Sequence, residues 1–346
     1  MSNLLTLTPE GLYCPLANAH IDPIRPVDRA VITHGHADHA RAGHGAVLAA
    51  RQTLEIMAIR YGPGFCKSQQ PAAYGEVVKI NGVAVSLHPA GHVLGSAQIL
   101  LEADGHRTVV SGDYKRHADP TCAPFELVTC DTFVTEATFG LPVFRHPPAA
   151  SEVAKLLKSM DLFADRTHLL GAYALGKAQR AIAEIRAGGY DRPIYLHGAL
   201  EKLTSYYQSQ GVNLGPIEPV GRRGKELAGA LVLCPPGQLS DRWARRFGDP
   251  VTSMASGWMR VRARARQRGV ELPLIMSDHA DWDDLCRTII ETGAEQVWVT
   301  HGAEEALVHW CESHGRRALP LNMIGYDDGE DPGHDAAEEA ATDAIT

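Results

Sequence analysis

The chain has 346 residues, 45% hydrophobic and 21% charged, with a formal net charge of −8. These values describe a globular protein with room for a large core, organised as two domains or as one domain carrying an insertion. They exclude a membrane-spanning helix, because no apolar run approaches the roughly 20 residues such a helix needs. The charge is local: residues 327–346 hold eight acids and no Lys or Arg, so residues 1–326 are formally neutral. A neutral body can still carry a basic groove, and a nucleic-acid substrate stays possible. The acidic tail has few apolar anchors and is expected to be disordered. The seven cysteines are dispersed without a C-x-x-C pair, which suggests reduced thiols. With no basic-then-apolar leader at Met1-Ser2-Asn3-Leu4-Leu5, a cytoplasmic protein is expected.

In chain order, the first chemistry-bearing stretch is His20-Ile21-Asp22-Pro23. It is followed by the apolar Ala30-Val31-Ile32, which runs into His34-Gly35-His36-Ala37-Asp38-His39. Three imidazoles and a carboxylate within six residues suit zinc, and the carboxylate extends the range toward manganese. Residues 83–87 alternate like a strand and lead to His88-Pro89-Ala90-Gly91-His92. Residues 97–102 and 106–110 read as a hairpin around Asp104-Gly105, whose second strand ends in Ser111-Gly112-Asp113. Residues 131–134 run into Thr135-Glu136, residues 272–276 into Ser277-Asp278-His279, and residues 296–299 into Thr300-His301-Gly302. Strands ending in loops that carry complementary metal ligands are the signature of one composite site in a layered α/β fold. Residues 150–272 break this pattern with helical stretches at 151–160 and 177–187, so they read as an insertion that splits the site-bearing domain.

The ligand types divide into two sets. His34, His36, His92 and Asp113 are assigned to one divalent ion. Asp38, His39, His301 and again Asp113 are assigned to a second, with Asp113 bridging ions about 3.5–4 Å apart. Two ions with two carboxylates and a bridging hydroxide leave a net positive site, which favours an anionic phosphodiester. That hydroxide is expected to attack phosphorus. Asp22 reads as a carboxylate that orients a ligand imidazole. His279 is assigned as the general acid for the departing oxygen, with Glu136 holding its ring. His88 and His44 are read as a strand-end and a helix-surface residue.

These residues, in this order, resemble the metallo-β-lactamase fold and, within it, the β-CASP nucleases. The match runs from the His34-x-His36-x-Asp38-His39 motif through His92, Asp113, Glu136, His279 and His301, and covers residues from about 10 to 325. The resemblance implies an αββα sandwich of residues 1–150 and 273–326, split by an α/β β-CASP domain at 151–272, with the acidic tail at 327–346. In such enzymes the substrate lies between the two domains. Within the insertion, Gly171-Ala172-Tyr173-Ala174-Leu175-Gly176-Lys177 looks like the subgroup's helix-opening segment, and Lys177 is expected to contact a phosphate. The segments around Asp22, His301 and Ala255-Ser256-Gly257-Trp258-Met259 resemble the bacterial ligase-associated DNA exonucleases. Arg260, Arg262, Arg264, Arg266 and Arg268 follow, and Trp258 with Arg260, Arg262 and Arg264 is expected to touch nucleic acid. The implied function is a nuclease dependent on two zinc or manganese ions that processes DNA ends in repair, with an ATP-dependent DNA ligase and a helicase as the expected partners. The alternatives are an RNA-processing endoribonuclease with the same site, a non-catalytic nucleic-acid scaffold, and a small-molecule hydrolase of the lactamase or thioesterase kind.

Overall fold

The structure is a computed structural model, and it describes residues 4–323. The acidic segment 327–346 lies outside the described residues. The chain divides into two compact units, one of residues 4–145 and 279–323 and one of residues 146–278.

The first unit is built on two sheets. The first sheet places β1 (Thr6–Thr8), β2 (Gly11–Cys14), β3 (Ala19–Ile21), β4 (Arg29–Val31), β5 (His44–Ala50) and β6 (Cys66–Ala72) side by side in chain order. Its last four strands are mutually parallel. The second sheet holds β7 (Val77–Ile80), β8 (Val83–Pro89), β9 (Ala97–Ala103), β10 (His106–Val110) and β11 (Thr132–Ala137). It is completed by β18 (Gln296–Gly302) and β19 (Arg317–Pro320) from the far side of the insertion. β9 and β10 form the hairpin read from the sequence, and Asp104 and Gly105 at its tip adopt φ of 52° and 74°, as a two-residue type I′ turn requires. β11 pairs in parallel with β18, Thr132 opposite Gln296. Two strands separated by the whole second unit are thus direct neighbours.

Alternation along the strands explains the layers. Ile99 and Leu101 of β9 face one core together with Leu12, Ile21, Val31 and Leu48 of the first sheet. Leu100 between them faces the opposite way, into a core with Leu285 and Ile289 of α6 (Trp282–Glu291) and Leu307 of α7 (Glu304–Ser313). On the outer face of the first sheet, Ile32, Val47 and Ala49 pack against Leu54 and Met57 of α1 (Arg51–Tyr61). The order is helix, sheet, sheet, helix, which is the αββα sandwich. Each fully buried Leu or Ile contributes about 1.5–3 kcal/mol relative to exposure, and these cores hold the strand ends that carry the polar residues.

The second unit contains one sheet of six parallel strands, in the order β14 (Ile217–Pro219), β13 (Ile194–Leu196), β15 (Leu231–Cys234), β12 (His168–Gly171), β16 (Val251–Ala255) and β17 (Leu272–Leu274). Its helices are α2 (Ala149–Leu162), α3 (Lys177–Ala187), α4 (Gly198–Ser209) and the short α5 (Arg262–Gln267). The strand expected over residues 272–276 stops at Leu274, because the Ile275 amide donates to the Glu152 carboxylate at 3.0 Å instead of to a neighbouring strand. His44 is also not a helix-surface residue. It opens β5, is fully buried, and its Nδ1 accepts from the Val27 amide at 3.2 Å.

Candidate metal centre

The polar residues of the first unit gather where the strands end. β4 runs out into residues 33–40, where the Ala40 amide closes a turn on the His36 carbonyl at 2.8 Å. β8 leads to His92, whose amide is held by Ser96 Oγ at 3.1 Å. β10 leads to Asp113 through Gly112, which has φ of +55° and no room for a side chain, since a Cβ would lie 2.7 Å from Thr33 Cβ. Glycine therefore lets the Asp113 segment close against the His34 loop. At the end of β18 the parallel register slips, and His301 takes φ of +57°. A left-handed histidine beside a cluster of ionisable groups is the kind of strain that functional sites hold.

The resulting geometry is compact. His34 Nε2 and His92 Nε2 each lie 3.1 Å from His36 Nδ1, and 3.3 and 3.6 Å from Asp113 Oδ2. One ligand atom from each of these four residues falls within a 4.8 Å span. Three imidazoles and a carboxylate, converging and all buried but for the half-buried His36, are a donor set for zinc or manganese. Asp113 turns its other oxygen toward His39, with Oδ1 3.6 Å from Nε2, and Asp38 Oδ2 lies 3.5 Å from the same nitrogen. Asp38 Oδ1 is buried with no hydrogen-bond partner. A carboxylate oxygen left so would carry a large desolvation cost, which a bound cation removes. His301 stacks on His39 with ring centroids 5.0 Å apart. His39 thus meets the Asp113 oxygen that His34 and His92 do not, with Asp38 and His301 beside it.

The supporting contacts are equally specific. His39 Nδ1 meets Asp22 Oδ2 at 2.8 Å, and Asp22 also accepts from the Thr33 amide at 2.8 Å and from Thr33 Oγ1 at 2.5 Å. Thr33 Oγ1 in turn lies 3.0 Å from His34 Nδ1. One threonine and one aspartate therefore orient two rings. Thr33 drew no attention in the sequence, where a threonine before a histidine is unremarked; its signal was the register from Asp22. His279 Nδ1 lies 2.9 Å from Glu136 Oε2, and Glu136 Oε1 accepts from the Tyr114 amide at 2.7 Å. Asp113, Glu136 and His279 form a second group whose ligand atoms lie within 4.8 Å of one another.

Burial drives the His92 ring well below the ordinary imidazole pKa, and His279 and His34 push in the same direction. Burial and then His39 bring His301 down to about 4. His39 goes the other way. Burial opposes its protonation, yet Asp113, Asp38 and Asp22 together push it up to about 10. Burial is the largest influence on Asp113 and Asp38 and opposes their ionisation, but His39 and the neighbouring imidazoles together outweigh it in both, with Asp113 held far down. The carboxylates thus create a field strong enough to keep a proton on a fully buried ring. A divalent cation competes for that same field and displaces the proton.

The second unit treats its expected contacts differently. Lys177 is not available to a phosphate. It is 1% exposed, and its ammonium meets the Met276 carbonyl at 3.0 Å and Asp278 Oδ2 at 3.1 Å. Arg180 completes the arrangement, with Nη1 3.0 Å from Asp278 Oδ1 and a short bond to the Ser277 carbonyl. A lysine buried beside an aspartate satisfies that aspartate, and this local pairing overrides the expectation drawn from its place at a helix start. Arg262 and Arg264 lie in α5, so their alternation spreads them around a helix. Arg260 and Arg262 are exposed, whereas Arg264 covers the half-buried Trp258 ring at 3.8 Å.

No family model matches the chain. It is 29% identical over 92% of its length to a probable DNA ligase of Opitutus terrae, of which it spans 31%. It is 27% identical over 89% of its length to the ribonuclease TTHA0252 of Thermus thermophilus, and spans 88% of that protein. At 92% and 89% of the chain, these matches reach into both units. The homologues are nucleases of the β-CASP and metallo-β-lactamase type, and the α/β fold of this chain agrees with theirs. A solved protein of unknown function from Enterococcus faecalis shares the fold of this chain, with a TM-score of 0.55 over 84% of it and 78% of that protein, at 14% identity. The chain spans about a third of its ligase-named relative. Among the described residues no helix is long and apolar enough to cross a membrane.

Proposed function

We propose that this protein is a metal-dependent β-CASP nuclease that trims DNA ends, working beside a DNA ligase. One observation carries the reading: the cluster of His34, His36, His92 and Asp113 shares Asp113 with the Glu136–His279 pair, within 4.8 Å on either side. A cation site and a proton donor then address the same bond.

His34, His36, His92 and Asp113 would hold one divalent ion, and Asp38, His39 and His301, sharing Asp113, a second. Bound there, such ions neutralise phosphate charge and bring the pKa of water to about 7. The chain's own groups do the rest. Asp22 and Thr33 set the rings of His39 and His34, so that the metal-facing nitrogens are the unprotonated ones. Glu136 accepts the Nδ1 proton of His279 and leaves Nε2 to deliver a proton to the departing oxygen. Glu136 is itself held by the Tyr114 amide, which keeps the carboxylate from turning toward the cations.

DNA is favoured by the ligase-named relative, and a helicase is a further candidate partner. A second reading, RNA cleavage, is favoured by the likeness to the Thermus ribonuclease over 88% of that protein. Digestion of end-labelled single- and double-stranded DNA and RNA of one sequence, across a zinc and manganese series, separates them. Stepwise shortening of DNA from one end is the expected result. Cleavage confined to RNA transfers the assignment to the second reading, and no metal-dependent cleavage of either overturns both.

A further inference from the structure

All six strands of the second unit are parallel, so their carboxyl ends share one edge, the edge where open α/β sheets bind ligands. Two loops at this edge belong together. The first, Gly221-Arg222-Arg223-Gly224-Lys225, follows β14. The second, Arg242-Trp243-Ala244-Arg245-Arg246, follows β15. Arg246 Nη1 donates to the Gly221 carbonyl at 3.0 Å, and a Cβ on Gly224 would lie 2.6 Å from the Arg246 carbonyl. The Arg246 guanidinium sits over the rings of Trp243 and Phe247 at 4.5 and 5.0 Å. His197, just beyond the end of β13, meets Trp243 edge-on at 4.9 Å. Arg246 therefore pins the two loops to the aromatic end of the sheet.

What this arrangement leaves outward is positive. Arg222, Lys225, Arg242 and Arg245 are exposed, and none has an ion-pair partner among the described residues. Residues 217–226 and 240–247 hold six cations against three acids. Of the acids, Glu218 is engaged by Arg223 at 2.7 Å, and Asp241 accepts from its own neighbour's amide at 2.6 Å. Further along the same edge, β16 is followed by Ser256 and Trp258, the latter covered by Arg264, and β17 by Ser277 and Asp278. From β14 to β17 the edge is roughly 24 Å long at ordinary strand spacing. It carries two Arg–Trp pairs and a row of uncommitted cations, the combination that tracks a nucleic-acid backbone and offers rings to bases.

We infer that Arg222, Lys225, Arg242 and Arg245 form a phosphate track for single-stranded nucleic acid along this edge, separate from the arginines at 260–268. The inference rests on the nuclease reading for its ligand, but its test is binding and needs no cleavage. The full chain, with chelator present, is titrated with labelled 20-nucleotide DNA and RNA strands across a salt series. The neutral variant R222Q/K225Q/R242Q/R245Q is compared with a control, K67Q/K79Q/K158Q/K202Q, which removes the same charge from exposed lysines elsewhere. Each lost contact on a single strand lowers the slope of log affinity against log salt by about 0.7, so the track variant should lose about 3 units of slope and the control much less. Loss on both strands marks a backbone track, and loss on one alone assigns its sugar. The inference is overturned by a wild-type slope in the track variant, by equal loss in the control, or by wild-type protein that binds neither strand. Equal melting temperatures for the three proteins exclude misfolding. Failure of the nuclease reading is seen separately, as absent cleavage when metal is restored.

Discussion

Each unit buries an aspartate just beyond a strand end, and the two are neutralised in opposite ways. Asp278 meets fixed cations, Lys177 at 3.1 Å and Arg180 at 3.0 Å, and its negative charge is cancelled inside the protein. Asp113 meets imidazoles, His34 at 3.3 Å and His39 at 3.6 Å, whose charge is optional. The first cluster is electrostatically closed and serves structure. The second is open, with a carboxylate oxygen of Asp38 unpartnered beside it. Residue type decides the difference: lysine and arginine cannot ligate a cation, whereas neutral histidine can.

The contrast is broken most severely at the open cluster. Asp113→Ala or Asp38→Ala should lower nucleic-acid cleavage by about three orders of magnitude or more, because each removes both a ligand and negative charge. Near-wild-type cleavage by a well-folded Asp38→Ala protein would remove the metal reading altogether. His279→Ala should cost about 10²–10⁴-fold. The loss should shrink on a phosphodiester with a nitrophenol leaving group, which departs without a proton. Equal loss on both substrates would make His279 a ligand or a structural residue.

At the closed cluster the expected readout is stability. Asp278→Ala leaves Lys177 and Arg180 buried without their carboxylate and should cost about 3–5 kcal/mol in chemical unfolding. A cost near zero would show that water enters and that the cluster is less closed than its contacts imply. Metal should not rescue this variant.

The smallest effect is the pH dependence of the metal-free protein, which compares the rings within the open cluster. His301 titrates near 4 when folded and near 6.5 when unfolded. Between those values the unfolded chain binds more protons, so stability falls as pH drops from 6.5 to 4. His39 is reversed. Its folded value near 10 gives stability that is present below 6.5 and lost as pH rises toward 10. Melting temperature measured in chelator should therefore decline on both sides of about pH 6.5. Added zinc should abolish the alkaline decline, since the ion replaces the proton on His39. An alkaline slope that survives zinc would place His39 outside the metal set.

Much of the first unit could be read before any coordinates. Asp104-Gly105 encodes a hairpin by its backbone preferences, and the alternation of residues 83–87 encodes faces. The closeness of His34, His36, Asp38 and His39 in sequence guarantees closeness in space. Lys177 shows the opposite limit. Its place after Gly176 at the start of a helix implied an anion partner, and that partner is Asp278, about a hundred residues away. Thr33 was missed for the same reason, since its role depends on Asp22 across a parallel strand pair.

By itself the chain determined which residue types end each strand, and hence that a cluster of imidazoles and carboxylates able to hold a cation would form, because metal chemistry follows from donor identity. The tertiary structure alone decided which buried charges are already neutralised. The contact of Arg180 with Asp278 across a separation of 98 positions, and the parallel pairing of β11 with β18 across the whole insertion, are long-range choices. Packing of separate strands makes those choices, and no local propensity records them.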